Sequence, residues 1–157
     1  DYFRNLKIIA WTTLIFGLIL FFADRSQIKQ KLDANLNYKS ILIIGLFQVL
    51  AIIPGVSRSG IVITASRFLS FDRVDSTKIA FYLSIPALTG ASFLGIKDIL
   101  ETNINFNLIF LFSIIFSFFI SYLTIKYFLI YIKKFDLKFF VYYRIFLALI
   151  LFVIIYS

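Results

Sequence analysis

Residues 40–71 read SILIIGLFQVLAIIPGVSRSGIVITASRFLSF, and seven of them, Pro54-Gly55-Val56-Ser57-Arg58-Ser59-Gly60, decide how the chain is built. An uncharged run, Ser40–Ser57, leads into an arginine flanked by two serines, and Ile61–Thr64 resumes the apolar character directly after it. A charge at membrane depth is costly and points to function. A helix broken at that depth has backbone that lines a buried or wet cavity.

The surroundings of this stretch establish the solvent. The chain has 157 residues, of which 61% are hydrophobic and 20% aromatic. A soluble domain of that length could not bury so much apolar surface, so the medium is a bilayer. There are no cysteines, which excludes disulfides and thiolate chemistry, and no histidines, which removes the commonest proton shuttle. The net charge of +8 comes from basic residues placed mainly between apolar runs. That placement speaks for topology and anionic lipid head groups, and against nucleic acid. The chain begins at Asp1 and contains no methionine, so it is expected to be N-terminally incomplete.

Four segments meet the requirement of about 20 mainly apolar residues per crossing: Leu6–Ala23, Ile79–Ile96, Asn103–Ile125 (continuing toward Ile132) and Phe139–Tyr156. Asp24–Lys39 and Phe71–Lys78 read as loops, with Asp75 or Ser76 as the N-cap of the helix after the second. Residues 40–71 are ambiguous, and basic residues decide between the alternatives because they accumulate in cytoplasmic loops. If this segment enters and leaves on the same side, ten loop cations (Arg25, Lys29, Lys31, Lys39, Arg67, Arg73, Lys78, Lys133, Lys134 and Lys138) lie inside and three (Arg4, Lys7 and Lys97) outside. If it crosses once, five lie inside and eight outside. The same-side arrangement wins, and the shortness of Ser59–Phe71 favours a re-entrant pair over two crossings. The C-terminus then lies outside, and Arg144 and Lys126 are expected to snorkel toward the inner surface. The small-residue stripes Ala87/Ala91/Gly95 and Ser113/Ser117/Ser121 suit close helix packing in lipid. Pro86 reads as a tolerated kink. The fold expected is thus an all-α integral membrane protein, one domain over residues 1–157, with about four transmembrane helices plus one re-entrant helix pair at residues 40–71.

At the break, Pro54 ends the incoming helix and Gly55 permits a turn that other residues resist. A second helix starting near Ser57–Ser59 aims its free N–H groups into the site, where they favour phosphate. Arg58 adds a planar fork of donors that stays charged. Ser57 and Ser59 supply hydroxyls that cap the helix or bond the same anion. The bland alternative, a structural arginine with two capping serines, is weaker because the arginine lies inside a broken intramembrane helix.

The pattern Gly45-x-x-Gln48-x-x-Ala51-x-x-Pro54-Gly55-Val56-Ser57-Arg58-Ser59-Gly60 resembles the second signature region of the undecaprenyl pyrophosphate phosphatases, the bacitracin-resistance family. Ile79-Ala80-Phe81-Tyr82-Leu83-Ser84-Ile85-Pro86 is similar to that family's helix after the motif. The resemblance covers most of the chain and corresponds to the C-terminal part of a typical member. It implies a bacterial plasma-membrane enzyme built from two inverted repeats, of which this chain is the second half. The implied reaction removes the terminal phosphate of undecaprenyl pyrophosphate and recycles the lipid carrier for cell-wall synthesis. It implies Arg58, Ser57 and Ser59 as catalytic residues, and Gly55, Gly60, Gln48 and Thr64 as substrate-binding ones. The partners implied are the polyprenyl pyrophosphate and membrane lipids, with room for a homodimer. A divalent metal is implied, Mg²⁺ first and Ca²⁺ as the alternative. Its ligands are expected from a glutamate-rich motif in a preceding part, because this chain has one glutamate, Glu101, and no histidine. The family motif runs PGxSRSxxT, whereas its last position here is Val62, with Thr64 two residues on. On this reading the fragment alone is expected to be inactive.

Two other classes fit part of the pattern. A transporter or flippase for a phosphorylated lipid or other anion also uses inverted repeats and broken helices. A noncatalytic scaffold would use only the small-residue stripes. A phosphatidic-acid-type phosphatase is disfavoured, since that chemistry depends on histidines.

Overall fold

The computed structural model describes residues 5–28, 32, 36–101 and 108–156, with side chains omitted at 98–101. Arg4, Lys29, Lys31, Asn103 and the Glu101 side chain, all used in the sequence reading, lie outside the described residues. Among the described residues six α-helices can be delimited: α1 Leu6–Asp24, α2 Tyr38–Val49, α3 Arg58–Phe68, α4 Arg73–Glu101, α5 Leu108–Lys134 and α6 Lys138–Tyr156. A single 3₁₀ turn, Leu50–Ile52, extends α2. Four of them, α1, α4 (over Arg73–Lys97), α5 and α6, are long and apolar enough to cross a membrane. The chain is an all-α integral membrane protein. With 12 and 11 residues, α2 and α3 are each too short to span, since a helix rises about 1.5 Å per residue against a hydrocarbon core of about 30 Å.

Several long-range bonds place both ends of the short pair on one side. Arg67, near the end of α3, donates to the carbonyls of Asp24 and Ser26 just after α1, each at 2.8 Å. Asp75 accepts from the backbone N–H of Leu32, in the segment before α2, at 3.0 Å. Arg73 holds Asp24 through two bonds of 2.7 and 3.0 Å and meets Asp136, between α5 and α6, at 2.7 Å. The segments leading into α2 and out of α3 therefore share one end of the bundle with the α1, α5 and α6 termini. That is the arrangement the charge count selects.

The centre of the bundle is α3, whose residues Gly60–Arg67 are all buried. Leu20, Ile44, Ile79 and Ile132 from four other helices join the cluster around Ile61–Ile63, while the buried Thr64 and Arg67 of the same helix are satisfied by backbone carbonyls. In lipid such contacts rest on close packing and hydrogen bonds rather than on expelled water. By contrast α5 buries only Ile132 and presents its phenylalanines and isoleucines outward, as lipid demands.

The structure departs from the sequence reading at four places. Residues 71–78 are not a loop: α4 begins at Arg73, and Asp72, rather than Asp75 or Ser76, caps it by accepting from the Asp75 N–H at 2.7 Å. Asp75 is instead drawn to Leu32 and Lys78. Arg67 is not a loop charge but 2% exposed, enclosed by carbonyls. Neither small-residue stripe packs against a described helix: Ser113, Ser117 and Ser121 are exposed, and a side chain at Gly95 would meet nothing within 4 Å. The fourth, Arg144, belongs to the site. At Pro86, which lacks the N–H that would bond Tyr82, α4 continues unbroken, and the Ser84 hydroxyl bonds the Phe81 carbonyl at 2.6 Å.

Asp136 lies between α5 and α6, where Lys138 at 2.8 Å and Arg73 at 2.7 Å hold its carboxyl below its ordinary value, the lysine bond acting most. A depressed carboxyl stabilises the fold above its unfolded pKa and loses that contribution as pH falls through the folded value. The melting difference between wild type and Asp136→Asn is therefore expected to be present at neutral pH and to be lost in acid, as the pH falls through the lowered pKa of Asp136. A difference unchanged by acid would remove this assignment.

Candidate active site

The helix break is shaped by one glycine. Gly55 has a φ of +89°, in the left-handed region, where residues with a Cβ pay a steric cost. A Cβ there would also clash with Thr12 Oγ1 and come within 2.8 Å of the Ile9 carbonyl. The turn is pressed onto α1, and Thr12 donates its hydroxyl to the Pro54 carbonyl at 2.6 Å. Thr13 makes a longer, 3.5 Å approach to the Gly55 carbonyl. Thr12 is twelve residues from the charged end of α1 at Asp24, so the break lies about 18 Å into the bundle. Sequence reading missed both threonines, because nothing local to either marks a partner 42 positions away.

From this turn α3 starts as the sequence predicts. Ser57 is its N-cap, accepting from the Gly60 N–H at 3.2 Å, and its hydroxyl lies 3.3 Å from that of Ser59. Arg58 and Ser59 are the first two helical residues, and their N–H groups have no acceptor within the helix. Both side chains are exposed, and Arg58 opens into two cavities. The larger, about 590 Å³, lies between α3, α4 and α5 and is lined by Ser59, Phe81, Ser84, Leu88, Ser121 and Thr124 among others. The smaller, about 290 Å³, is lined by Gln48, Gly45 and Ala87. The Gln48 Oε1 is buried there without a hydrogen-bond partner. One fork of donors and two hydroxyls thus come together at a helix N-terminus, which favours an anion.

Thr64 and Gly60 have other duties. The Thr64 hydroxyl donates to the Gly60 carbonyl at 2.7 Å and the residue is 2% exposed, so it does not reach either cavity. It occupies its own helix's carbonyl rather than standing in for the hydroxyl absent at Val62. Gly60 makes room for a residue the sequence reading sent elsewhere. Arg144 does not snorkel: its Nη2 lies 3.0 Å from the point where a Gly60 Cβ would be. Its stem crosses Gly17, where a Cβ would come within 3.2 Å of the Arg144 Cβ. The signal that marks it in the sequence is a lone cation six residues inside an apolar span.

Among the described residues no group of three or more acidic, histidine or cysteine side chains converges. The acids whose side chains are described, Asp24, Asp72, Asp75 and Asp136, are engaged by arginines, lysines or backbone N–H groups at the charged end. These residues do not fit a divalent metal.

Comparison with known proteins gives the family of the chain. Residues 1–150 match the family described as bacitracin resistance protein BacA. An undecaprenyl-diphosphatase of Pelagibacter ubique (strain HTCC1062) is 58% identical over 154 residues, covering 98% of this chain and 60% of the relative. That of Saccharophagus degradans (strain 2-40) is 40% identical, covering 99% and 59%, and that of Elusimicrobium minutum (strain Pei191) is 46% identical, covering 95% and 56%. The chain spans about three fifths of the length of these curated relatives. With residues 1–150 matched, the chain, which carries Pro54–Gly60 at the tip of its helix hairpin, belongs to the bacitracin resistance protein BacA family.

Proposed function

We propose that this chain forms the pyrophosphate-gripping part of an undecaprenyl diphosphatase, which hydrolyses undecaprenyl pyrophosphate to undecaprenyl phosphate and phosphate. The observation that carries this reading is Arg58 on the first turn of α3, between two cavities and beside the paired hydroxyls of Ser57 and Ser59. The guanidinium binds two phosphate oxygens at once. As water attacks the terminal phosphorus and the bond to the bridging oxygen breaks, undecaprenyl phosphate leaves and charge builds on the bridging oxygen while it redistributes over the transferred phosphoryl oxygens. Fixed donors placed there lower the barrier without reorganising. Gln48 contributes a polar wall to the smaller cavity. The apolar lining of the larger one suits the start of a polyprenyl chain. A bacterial plasma membrane, with the C-terminus outside, is the setting this reading implies. The metal it calls for, Mg²⁺ or Ca²⁺, would draw its ligands from outside the described residues.

The test is Arg58→Lys in the intact protein. Phosphate release from a polyprenyl pyrophosphate is expected to fall by about 100-fold or more, with the melting temperature unchanged, because a lysine keeps the charge but not the fork. Wild-type rates in this variant would overturn the role of Arg58. Saturable movement of the lipid across vesicles with no phosphate released would favour the transporter reading, which the named relatives do not support.

A further inference from the structure

Arg144 presents a physical problem. It stands six residues into an apolar crossing helix, on a stem that passes over Gly17, and its guanidinium ends beside Gly60 in the first turn of α3. The positive end of a helix macrodipole repels a cation. A second positive charge, Arg58, sits on the same turn. Among the described residues no carboxylate pairs with Arg144; the ion pairs formed by Asp24, Asp75 and Asp136 all lie at the opposite end of α3. A structural arginine in lipid has a partner or reaches the surface. This one finds no carboxylate among the described residues and is only half-buried, and two glycines make way for it.

Resting on the reading given above, we propose that Arg144 is a second pyrophosphate-binding residue. It approaches the first turn of α3 from the α1–α6 side, while Arg58 approaches from the side of α4 and α5. The Arg144 Nη2 and the Ser57 Oγ lie 3.0 and 3.3 Å from the same point, the absent Gly60 Cβ. Arg144 is therefore within reach of an anion held by the serines and the free N–H groups. A pyrophosphate carries enough charge and length to engage both arginines, whereas a single neutral head group would leave the repulsion standing. In the unliganded protein the repulsion remains, so the site is built at the expense of stability.

The experiment compares wild type, Arg144→Gln and Arg144→Lys in the intact protein, using phosphate release from a polyprenyl pyrophosphate and the melting shift caused by inorganic pyrophosphate. Arg144→Gln is expected to raise KM by about 10- to 100-fold, to shrink the pyrophosphate-induced shift, and to raise the ligand-free melting temperature. Arg144→Lys, which keeps the charge, is expected to fall between the two in KM and serves as the readout should the glutamine variant not fold. A lowered melting temperature with unchanged KM and unchanged pyrophosphate shift would mean that Arg144 pairs structurally with a carboxylate elsewhere, and would overturn the assignment. If wild type releases no phosphate yet pyrophosphate stabilises it through Arg144, the proposed reaction fails while the anion site stands.

Discussion

Arg67→Met is expected to destabilise the protein by about 3–5 kcal/mol, the range for removing one partner of a buried charged network. The guanidinium is 2% exposed and donates three bonds, to the carbonyls of Phe71 at 2.6 Å and of Asp24 and Ser26 at 2.8 Å. It also lies 3.7 Å from the Asp24 carboxylate. Methionine fills the volume but leaves three enclosed carbonyls without donors, and each such orphan costs about 1–3 kcal/mol. The Asp24 carboxylate would keep only Arg73, which is itself partly exposed. Arg67→Lys restores one donor direction of the three and is expected to recover a minor part of the loss. Unfolding of the purified protein by heat or denaturant measures both variants, and a melting temperature within a degree of wild type would remove Arg67 from the account of the fold.

Gly55→Ala is the second large effect. The left-handed backbone costs an alanine about 1–2 kcal/mol, and overpacking against Thr12 and the Ile9 carbonyl adds about 1–3 kcal/mol. The strain falls on the turn that sets where α3 begins, so phosphate release is expected to be lost even where the bundle survives. Thr12→Ala is the informative companion: it removes the 2.6 Å bond to Pro54 and opens the space that an alanine at 55 needs. The double variant is therefore expected to be more stable than Gly55→Ala alone, a coupling that additive effects would not give. Strict additivity would show that the clash is not the cause.

Much of this was legible because the signals are strong ones. The four crossings follow from length and hydropathy, and the position of the break from Pro54-Gly55. Basic residues identified the shared end, although one counted residue, Arg67, turned out to serve that end from inside the protein. The capping of α3 by Ser57 was readable because a cap acts over three residues. What was not legible is whatever depends on partners distant in the chain. Asp72, Asp75 and Ser76 all qualify as caps locally, and only the Leu32 backbone, which claims Asp75, decides among them. Arg144 was visible as a costly charge, but an isolated arginine near a helix end also snorkels. The choice was made by Gly17 and Gly60, which look like ordinary small residues in the sequence. The serine stripe of α5 misled for a related reason. Small residues permit close approach without requiring it, and Ser113 spends its hydroxyl on its own helix at Ile109.

The bundle is fastened at one end, and α3 rises from that fastening with Arg58 at its tip, so the helix works as a measuring rod. Its 11 residues set how far into the bilayer the arginine stands. Adding or removing one residue would move that tip by about 1.5 Å and swing it through about 100°, carrying Arg58 out of the space between α4 and α5. Chain length in this short helix is thus itself a coordinate of the active site, and variation can be accommodated more readily in the side chains of α3 than in its count.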